Sequence, residues 1–216
     1  MTTARGVLFD YGGVLTTPPR RSIAAWVQRE GIDPDSFSRV LKAWLSRAAP
    51  VGNPLHQLES GRLTTAEFNA VLTRELRMAD GTPMADADHL AGIFSTILPE
   101  PSMVRFVERL RARDVSLALV SNSWGNDYPA EVLGLFDAVV ISGDVGLRKP
   151  QSEIYHLALD QLGLPPAEAV LVDDGSPNIE AAKRLGLTGL LHTSPETTVA
   201  ALEPTFAANT TKEYPR

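Results

Sequence analysis

The sequence predicts an α/β protein whose parallel β-sheet is covered by helices on both faces. Short apolar runs bounded by turn residues recur along the 216-residue chain, as expected for buried strands. Helical patterns separate these runs in the second half of the chain, and such alternation implies crossover units between parallel strands. The stretch after the first run has helical patterns without strands, which indicates an inserted helical lobe beside a three-layer, Rossmann-like core.

Five strands are predicted from the apolar runs, which cover residues 7–9, 117–120, 139–141, 170–172 and 190–191. Helical patterns over residues 102–113 and 152–162 lie between them. The helix after the fourth strand has the clearest end signals, because Ser176 suits the N-cap, Pro177 the first helical position and Gly186 the C′ position. We therefore expect strand–helix–strand crossovers throughout this half of the chain.

Residues 17–92 are predicted to form the inserted lobe, with three or four short helices. Thr64 and Glu67 fit a capping box at the start of one helix, and Gly31 can end another. A lobe inserted beside an α/β core forms a cleft at the junction, and such clefts commonly bind ligands. We therefore expect the lobe to act as a cap on a core made of residues 1–16 and 93–216.

Composition and charge exclude several classes of protein. The formal net charge is −6 and no run of Lys and Arg is present, which argues against nucleic-acid binding. The chain has no cysteine, which excludes disulfides, thiolate nucleophiles and zinc–thiolate sites, and its four histidines are scattered. There is no signal-peptide pattern and no apolar stretch of about 20 residues. We expect a soluble cytoplasmic protein that binds neither nucleic acid nor membrane, and the sequence predicts no particular oligomeric state.

Polar residues at the carboxyl ends of the strands form the candidate site, because parallel α/β sheets bind ligands at that edge. Asp10 ends the first strand, and Gly12 and Gly13 after it let main chain and ligand approach the carboxylate closely. The other candidates are Ser121 and Asn122 after the second strand, Lys149 in GLRKPQSEIY, and Asp173 with Asp174 after the fourth strand.

These residue types fit chemistry on a phosphate monoester. A carboxylate such as Asp10 can attack phosphorus and form an aspartyl-phosphate, which divides one displacement into two steps. A divalent cation would offset the repulsion between carboxylate and phosphate, and Mg²⁺ is typically held through one or two carboxylates. Asp173 or Asp174 would supply such a ligand. The phosphoryl oxygens would then be held by Ser121, Asn122 and Lys149.

The order and spacing of these segments resemble the haloacid dehalogenase-like (HAD) hydrolases over essentially the whole chain. FDYGGVL resembles the first motif of that superfamily, SNS the second, RKP with SEIYHLAL the third, and VDDGSPNIEAAKRLG the fourth. The predicted lobe is similar to the small α-helical cap of the family, and QLESGRLTTAEF resembles a segment common in that cap. The chain also resembles the phosphatase branch of the superfamily that includes the N-terminal domain of soluble epoxide hydrolase.

The resemblance implies a role for each candidate residue. Asp10 would be the nucleophile and a Mg²⁺ ligand, and Lys149 would assist it as a catalytic residue. Phosphate would be bound by Ser121 or Asn122 together with Lys149. The metal site would comprise Asp10, the main-chain carbonyl of Gly12, Asp173 and Asp174. The implied activity is that of a Mg²⁺-dependent phosphatase of a small phosphorylated metabolite.

The chain departs from the family at Gly12. Most phosphatases of the superfamily have an Asp at this position, which protonates the leaving group and activates water, and glycine transfers no proton. General acid–base catalysis contributes roughly 10² to 10⁴ in rate, so we expect slower turnover. The same departure favours an alternative, a non-catalytic phosphate-binding or regulatory protein. A haloacid dehalogenase is less favoured, because that reaction needs no metal whereas the acidic pair suits one.

The sequence assigns no role to five further residues. Asp127 and Asp144 are candidate replacement acids, although nothing in their spacing singles out either of them. Tyr11 and Trp124 suit the border of the cleft and the core equally well. His56 of the predicted lobe is more simply interpreted as a surface or core residue than as one that faces the substrate.

Overall fold

The computed structural model describes residues 4–45, 49–50, 52–94, 96–125 and 128–207. Within them the strands are β1 Gly6–Phe9, β2 Ser116–Ser121, β3 Ala138–Ile141, β4 Ala169–Asp173 and β5 Thr188–Leu191. All the strands are parallel and form a sheet in the order β3-β2-β1-β4-β5. The five predicted strands are therefore confirmed, and β5 begins before the apolar run that predicted it.

The described residues form eleven α-helices. They are α1 Pro19–Glu30, α2 Pro34–Leu45, α3 Pro54–Glu59, α4 Thr65–Glu75, α5 His89–Phe94, α6 Pro101–Arg111, α7 Ala130–Leu133, α8 Ser142–Val145, α9 Ser152–Leu162, α10 Ser176–Arg184 and α11 Pro195–Ala207. Five of them, α1 to α5, lie between β1 and α6, where three or four were predicted. The difference arises because α3 and α5 have only six residues each and so carry little periodic pattern. None of the described helices combines the length and the apolar character needed to cross a membrane.

Local sequence accounts for several helix ends. Thr64 N donates to Glu67 Oε2 at 2.8 Å and Glu67 N donates to Thr64 Oγ1 at 3.2 Å, which confirms the predicted capping box of α4. Gly31 ends α1 with a φ of 67°, and Gly186 follows α10 with a φ of 95°. Both glycines therefore occupy the positions that the sequence predicted for them.

The predicted N-cap of α10 is wrong by one residue. Gly175 occupies the N-cap position, so Ser176 is the first residue of the helix and Pro177, predicted to be the first, is the second. The reason is that Gly175 O already accepts a hydrogen bond from Asn178 N at 3.0 Å, so helical bonding begins there. Gly175 N in turn donates to Asp173 Oδ1 at 2.7 Å, which connects the start of α10 to the end of β4.

Alternate residues of the central strand β1 pack on opposite faces of the sheet. Val7 and Phe9 join one apolar cluster, to which α6 contributes Phe106 and α11 contributes Phe206. Leu8 joins a second cluster, which includes residues of α9 and α10. The sheet is therefore buried between two helical layers, which confirms the predicted three-layer α/β architecture.

The helices α1 to α5, hereafter the insert, have a hydrophobic cluster of their own. Its buried members include Trp26, Phe37, Leu58, Phe68, Leu72 and Leu76. Trp124, which follows β2, packs against this cluster, and its ring centroid lies 4.9 Å from that of Phe94. Arg148 Nη2 lies 2.7 Å from Glu59 Oε2 on α3. These two contacts hold the insert against segments that follow β2 and β3.

Candidate active site

Two acidic side chains at the carboxyl ends of β1 and β4 flank the side chain of Lys149. Asp10 N donates to Val172 O at 2.9 Å, which extends the pairing of β1 with β4 by one residue. Lys149 Nζ lies 2.7 Å from Asp10 Oδ1 and 2.7 Å from Asp173 Oδ2. The Lys149 side chain is only 1% exposed, so its ammonium group depends on these carboxylates for hydrogen bonds.

Burial and the neighbouring charges shift the pKa values of Lys149 and Asp10. Burial by itself lowers the pKa of Lys149, but the carboxylates of Asp10 and Asp173 outweigh burial and raise that pKa, so the ammonium group stays charged. Burial raises the pKa of the Asp10 carboxyl; Lys149 opposes this effect, and the charge of Asp173 adds to it. An additional cation beside Asp10 would therefore favour its charged form.

Asp173 and Asp174 are neighbours in the chain but have different surroundings. Asp173 is fully buried, and its Oδ1 atom accepts hydrogen bonds from Gly175 N at 2.7 Å and Asn178 Nδ2 at 2.9 Å. Asp174 is exposed. One carboxylate oxygen from each of Asp10, Asp173 and Asp174 lies within 4.8 Å of the others. The site thus offers three carboxylates to a single cation.

The turn after Asp10 requires glycine at position 13 but not at position 12. Gly13 has a φ of 81°, and a Cβ atom there would lie 2.7 Å from Asp174 Oδ2, so glycine alone fits between the turn and this carboxylate. Gly12 does not have a left-handed backbone, and a Cβ atom there would have Pro19 Cγ as its nearest neighbour at 3.8 Å. Position 12 therefore has space for a Cβ atom and does not require glycine.

The end of β2 contributes Ser121 and Asn122. The side chain of Asn122 bonds to the main chain of Lys149 in both directions: Nδ2 donates to Lys149 O at 3.1 Å, and Lys149 N donates to Asn122 Oδ1 at 2.8 Å. Asn122 therefore ties β2 to the segment that carries the buried ammonium group. Ser121 is 4% exposed and accepts a hydrogen bond from Tyr128 OH at 2.9 Å. Contact of Ser121 or Asn122 with phosphate stays a prediction.

Two side chains near the site were not predicted from the sequence. Asn178 lies five residues after Asp173 and donates to it from the first turn of α10. Its place within VDDGSPN is a usable signal, because a polar residue in that turn can reach back to the strand end. Tyr128 lies seven residues after Ser121, outside every predicted element. No pattern in the sequence indicates that its hydroxyl returns to the end of β2.

The residues without an assigned role occupy varied positions. Asp144 is exposed on α8, whereas Asp127 lies outside the described residues. His56 is partly exposed on α3, where burial and then the charge of Arg148 lower its pKa. Tyr11 packs against the apolar cluster of Val7 and Phe9, so it helps to fix the turn after β1.

Known proteins resemble this chain over most of its length. The sequence pattern of the haloacid dehalogenase-like hydrolases matches residues 4–186. Bifunctional epoxide hydrolase 2 of Mus musculus is 28% identical over 206 residues, which are 87% of this chain and 36% of that protein. The sesquiterpene phosphatase astK of Aspergillus oryzae is 29% identical over 194 residues, which are 88% of this chain and 90% of that protein. The mammalian relatives are much longer, and the chain spans 19% to 38% of their length.

A solved structure has the same fold. It is that of a HAD family enzyme from Bacteroides thetaiotaomicron, in complex with magnesium and inorganic phosphate. The TM-score is 0.64 at 22% sequence identity, and the likeness covers 87% of this chain and 93% of that chain. At this identity the likeness shows the fold alone.

Proposed function

The chain belongs to the haloacid dehalogenase-like hydrolases, and we propose that it is a Mg²⁺-dependent phosphatase of a small phosphorylated metabolite. Asp10 would attack phosphorus and carry the phosphoryl group as an aspartyl-phosphate. The observation that carries the proposal is that the Asp10 carboxylate lies 2.7 Å from the buried ammonium group of Lys149 and within 4.8 Å of an oxygen of the exposed Asp174. The similarity to a phosphatase over 88% of the chain supports the same class of reaction.

The three carboxylates suit a magnesium ion, because Mg²⁺ prefers oxygen ligands and is usually bound through one or two carboxylates with water and phosphate. Asp10 and Asp174 would hold the ion together with the main-chain carbonyl of Gly12. Both oxygens of Asp173 already accept hydrogen bonds, so its main task would be to hold Lys149. When bound, the ion would offset the repulsion between the Asp10 carboxylate and the substrate phosphate.

The reaction would proceed through two displacements at phosphorus. In the first, an oxygen of Asp10 forms a bond to phosphorus while the bond from phosphorus to the substrate alcohol breaks. In the second, water attacks phosphorus and releases inorganic phosphate and the free carboxylate. Lys149 would hold Asp10 in place, and Lys149 with Ser121 would stabilise the negative charge on the phosphoryl oxygens. The departing alcohol takes its proton from water, because Gly12 supplies none.

We further propose that the insert acts as a cap that selects the substrate. The ion pair of Glu59 with Arg148 holds α3 next to the segment that carries Lys149. The contact of Phe94 with Trp124 holds the end of α5 next to the segment after β2. The insert is therefore kept beside the acidic cluster, where a substrate-selecting lobe forms the second wall of a cleft.

Metal dependence of phosphate release tests the proposal. Wild-type protein is expected to release phosphate from some member of a panel of phosphorylated metabolites and from 4-nitrophenyl phosphate with Mg²⁺, but not with EDTA. Asp174→Asn is expected to raise the Mg²⁺ concentration for half-maximal release by about 10²-fold, because it removes a charged ligand. Asp144→Asn is the matched control: it removes an exposed acid on α8 and should leave that concentration unchanged.

Two other results are informative in this assay. Equal release in EDTA and in Mg²⁺, or an unchanged Mg²⁺ requirement in Asp174→Asn, would contradict the proposed metal site. Binding of inorganic phosphate without turnover of any compound would favour the non-catalytic alternative instead. Gly12 is the observation that favours this alternative, because a protein that only binds phosphate needs no proton-transfer group.

Gly12→Asp is expected to raise kcat by roughly 10- to 100-fold, since it adds a proton donor at a position where general acid–base catalysis is worth roughly 10² to 10⁴. A Cβ atom at position 12 makes no close contact, because the nearest atom beyond the adjacent residues, Pro19 Cγ, is 3.8 Å away. The gain should be larger for alkyl phosphates than for 4-nitrophenyl phosphate, whose leaving group needs no proton. Gly12→Asn is the matched control, and an equal gain in both variants would contradict the acid–base explanation.

A further inference from the structure

The hydroxyl of Tyr128 donates a hydrogen bond to Ser121 Oγ across 2.9 Å at the end of β2. A phenol gives up its proton more readily than an aliphatic alcohol, so the tyrosine is the donor of this pair. Burial raises the pKa of Tyr128, which keeps the phenol protonated at physiological pH. The phenol of Tyr128 can therefore donate to Ser121 throughout the physiological pH range.

This hydrogen bond leaves the proton of Ser121 for another group. A serine hydroxyl has one proton to donate and two lone pairs that accept. Ser121 is buried and accepts from Tyr128, and among the described residues no atom accepts a hydrogen bond from Ser121 Oγ. A buried donor without an acceptor is unfavourable, and a bound ligand that accepts the proton would satisfy it.

The ring of Tyr128 is held in place independently of its hydroxyl. It packs edge to face on the ring of Tyr11, with the centroids 4.5 Å apart and the planes at 68°. Tyr11 directly follows Asp10, so the ring pair joins the turn after β1 to the segment after β2. The hydrogen bond to Ser121 places the Tyr128 hydroxyl at the end of β2, the strand that pairs with β1.

We propose that Tyr128 is a positioning residue, which orients the hydroxyl of Ser121 so that it donates its proton to an oxygen of bound phosphate. The inference rests on the proposed phosphate site, and it adds a residue outside the four segments that resemble the motifs of the family. Tyr128 itself does not touch the phosphate. It acts by occupying one lone pair of Ser121, which turns the hydroxyl proton away from Tyr128 and leaves it available to the ligand.

Binding of inorganic phosphate in the presence of Mg²⁺, measured by titration calorimetry, tests this role without requiring turnover. Tyr128→Phe keeps the ring and removes the hydroxyl, and it is expected to weaken phosphate binding by about five- to tenfold. Ser121→Ala should weaken binding at least as much. The double variant should bind phosphate no more weakly than Ser121→Ala alone, because Tyr128 acts through Ser121.

Tyr11→Phe is the matched control, because it removes the hydroxyl of the other ring in the pair and should bind phosphate as the wild type does. Losses that add in the double variant would overturn the inference, since a general effect of Tyr128 on structure would not depend on Ser121. Unchanged binding in Tyr128→Phe would overturn it as well. Failure of the wild type to bind phosphate would instead overturn the proposed phosphate site and, with it, this inference.

Discussion

Asp10→Asn is expected to lower the rate of Mg²⁺-dependent phosphate release by roughly 10⁴-fold or more, because it removes the proposed nucleophile. A carboxamide oxygen carries no formal charge and attacks phosphorus poorly. The variant should remain folded, since Asn has the shape of Asp and its Oδ1 can still accept the hydrogen bond that Lys149 now makes at 2.7 Å. The value of kcat on 4-nitrophenyl phosphate measures the loss.

A second measurement separates loss of the nucleophile from loss of the metal. Mass spectrometry of acid-quenched protein should detect a phosphorylated wild type and no phosphorylated Asp10→Asn, each at saturating Mg²⁺. Asp144→Asn makes the same substitution at an exposed position and should be phosphorylated like the wild type. Metal-dependent release that persists in Asp10→Asn near the wild-type rate would exclude Asp10 as the nucleophile.

Lys149→Met is expected to lower the free energy of unfolding by about 3–5 kcal/mol, the usual cost of removing one partner from a buried ion pair. The side chain of Lys149 is 1% exposed, and the side chains of Asp10 and Asp173 beside it are 12% and 0% exposed. Methionine fills similar space without charge, so these acidic groups would repel each other with no cation between them. Denaturant unfolding in EDTA measures the loss without compensation by metal.

Two further variants make this result interpretable. Lys42→Met removes an exposed lysine of α2 and should change the free energy of unfolding by no more than about 0.5 kcal/mol. Adding Asp173→Asn to Lys149→Met should recover part of the lost stability, because one of the repelling charges is removed. A loss in Lys149→Met as small as that in Lys42→Met would show that the charge cluster contributes little to the fold.

The strands and their polar ends could be predicted from the sequence because both depend on local patterns and on one general rule. Apolar runs identify buried strands, and parallel sheets collect their carboxyl ends at one edge. From that rule the sequence predicts that Asp10 and Asp173 lie at the same edge of the sheet. The structure places Lys149 Nζ between them, 2.7 Å from an oxygen of each carboxylate. The capping box of α4 was equally predictable, since its hydrogen bonds join residues only three apart.

Short helices and side-chain partners could not be predicted in the same way. The helices α3 and α5 are too short to show a period, so the insert has more helices than expected. The first residue of α10 was misassigned because the hydrogen bonds of Gly175 decide where the helix begins. Tyr128 carries no signal at all, because its partner is chosen by the path of the chain after β2.

By itself, the sequence determined the layered α/β core, the inserted helices and the set of polar residues at the sheet edge. Only the tertiary structure decided which of those residues contact one another and which of them are buried. It shows Asn122 bound to the main chain of Lys149, Asp173 buried and Asp174 exposed, and a glycine required at position 13 but not at position 12. The physical reason is distance along the chain. Lys149 meets Asp173 across 24 residues and Arg148 meets Glu59 across 89, and contacts of that span depend on how whole elements pack.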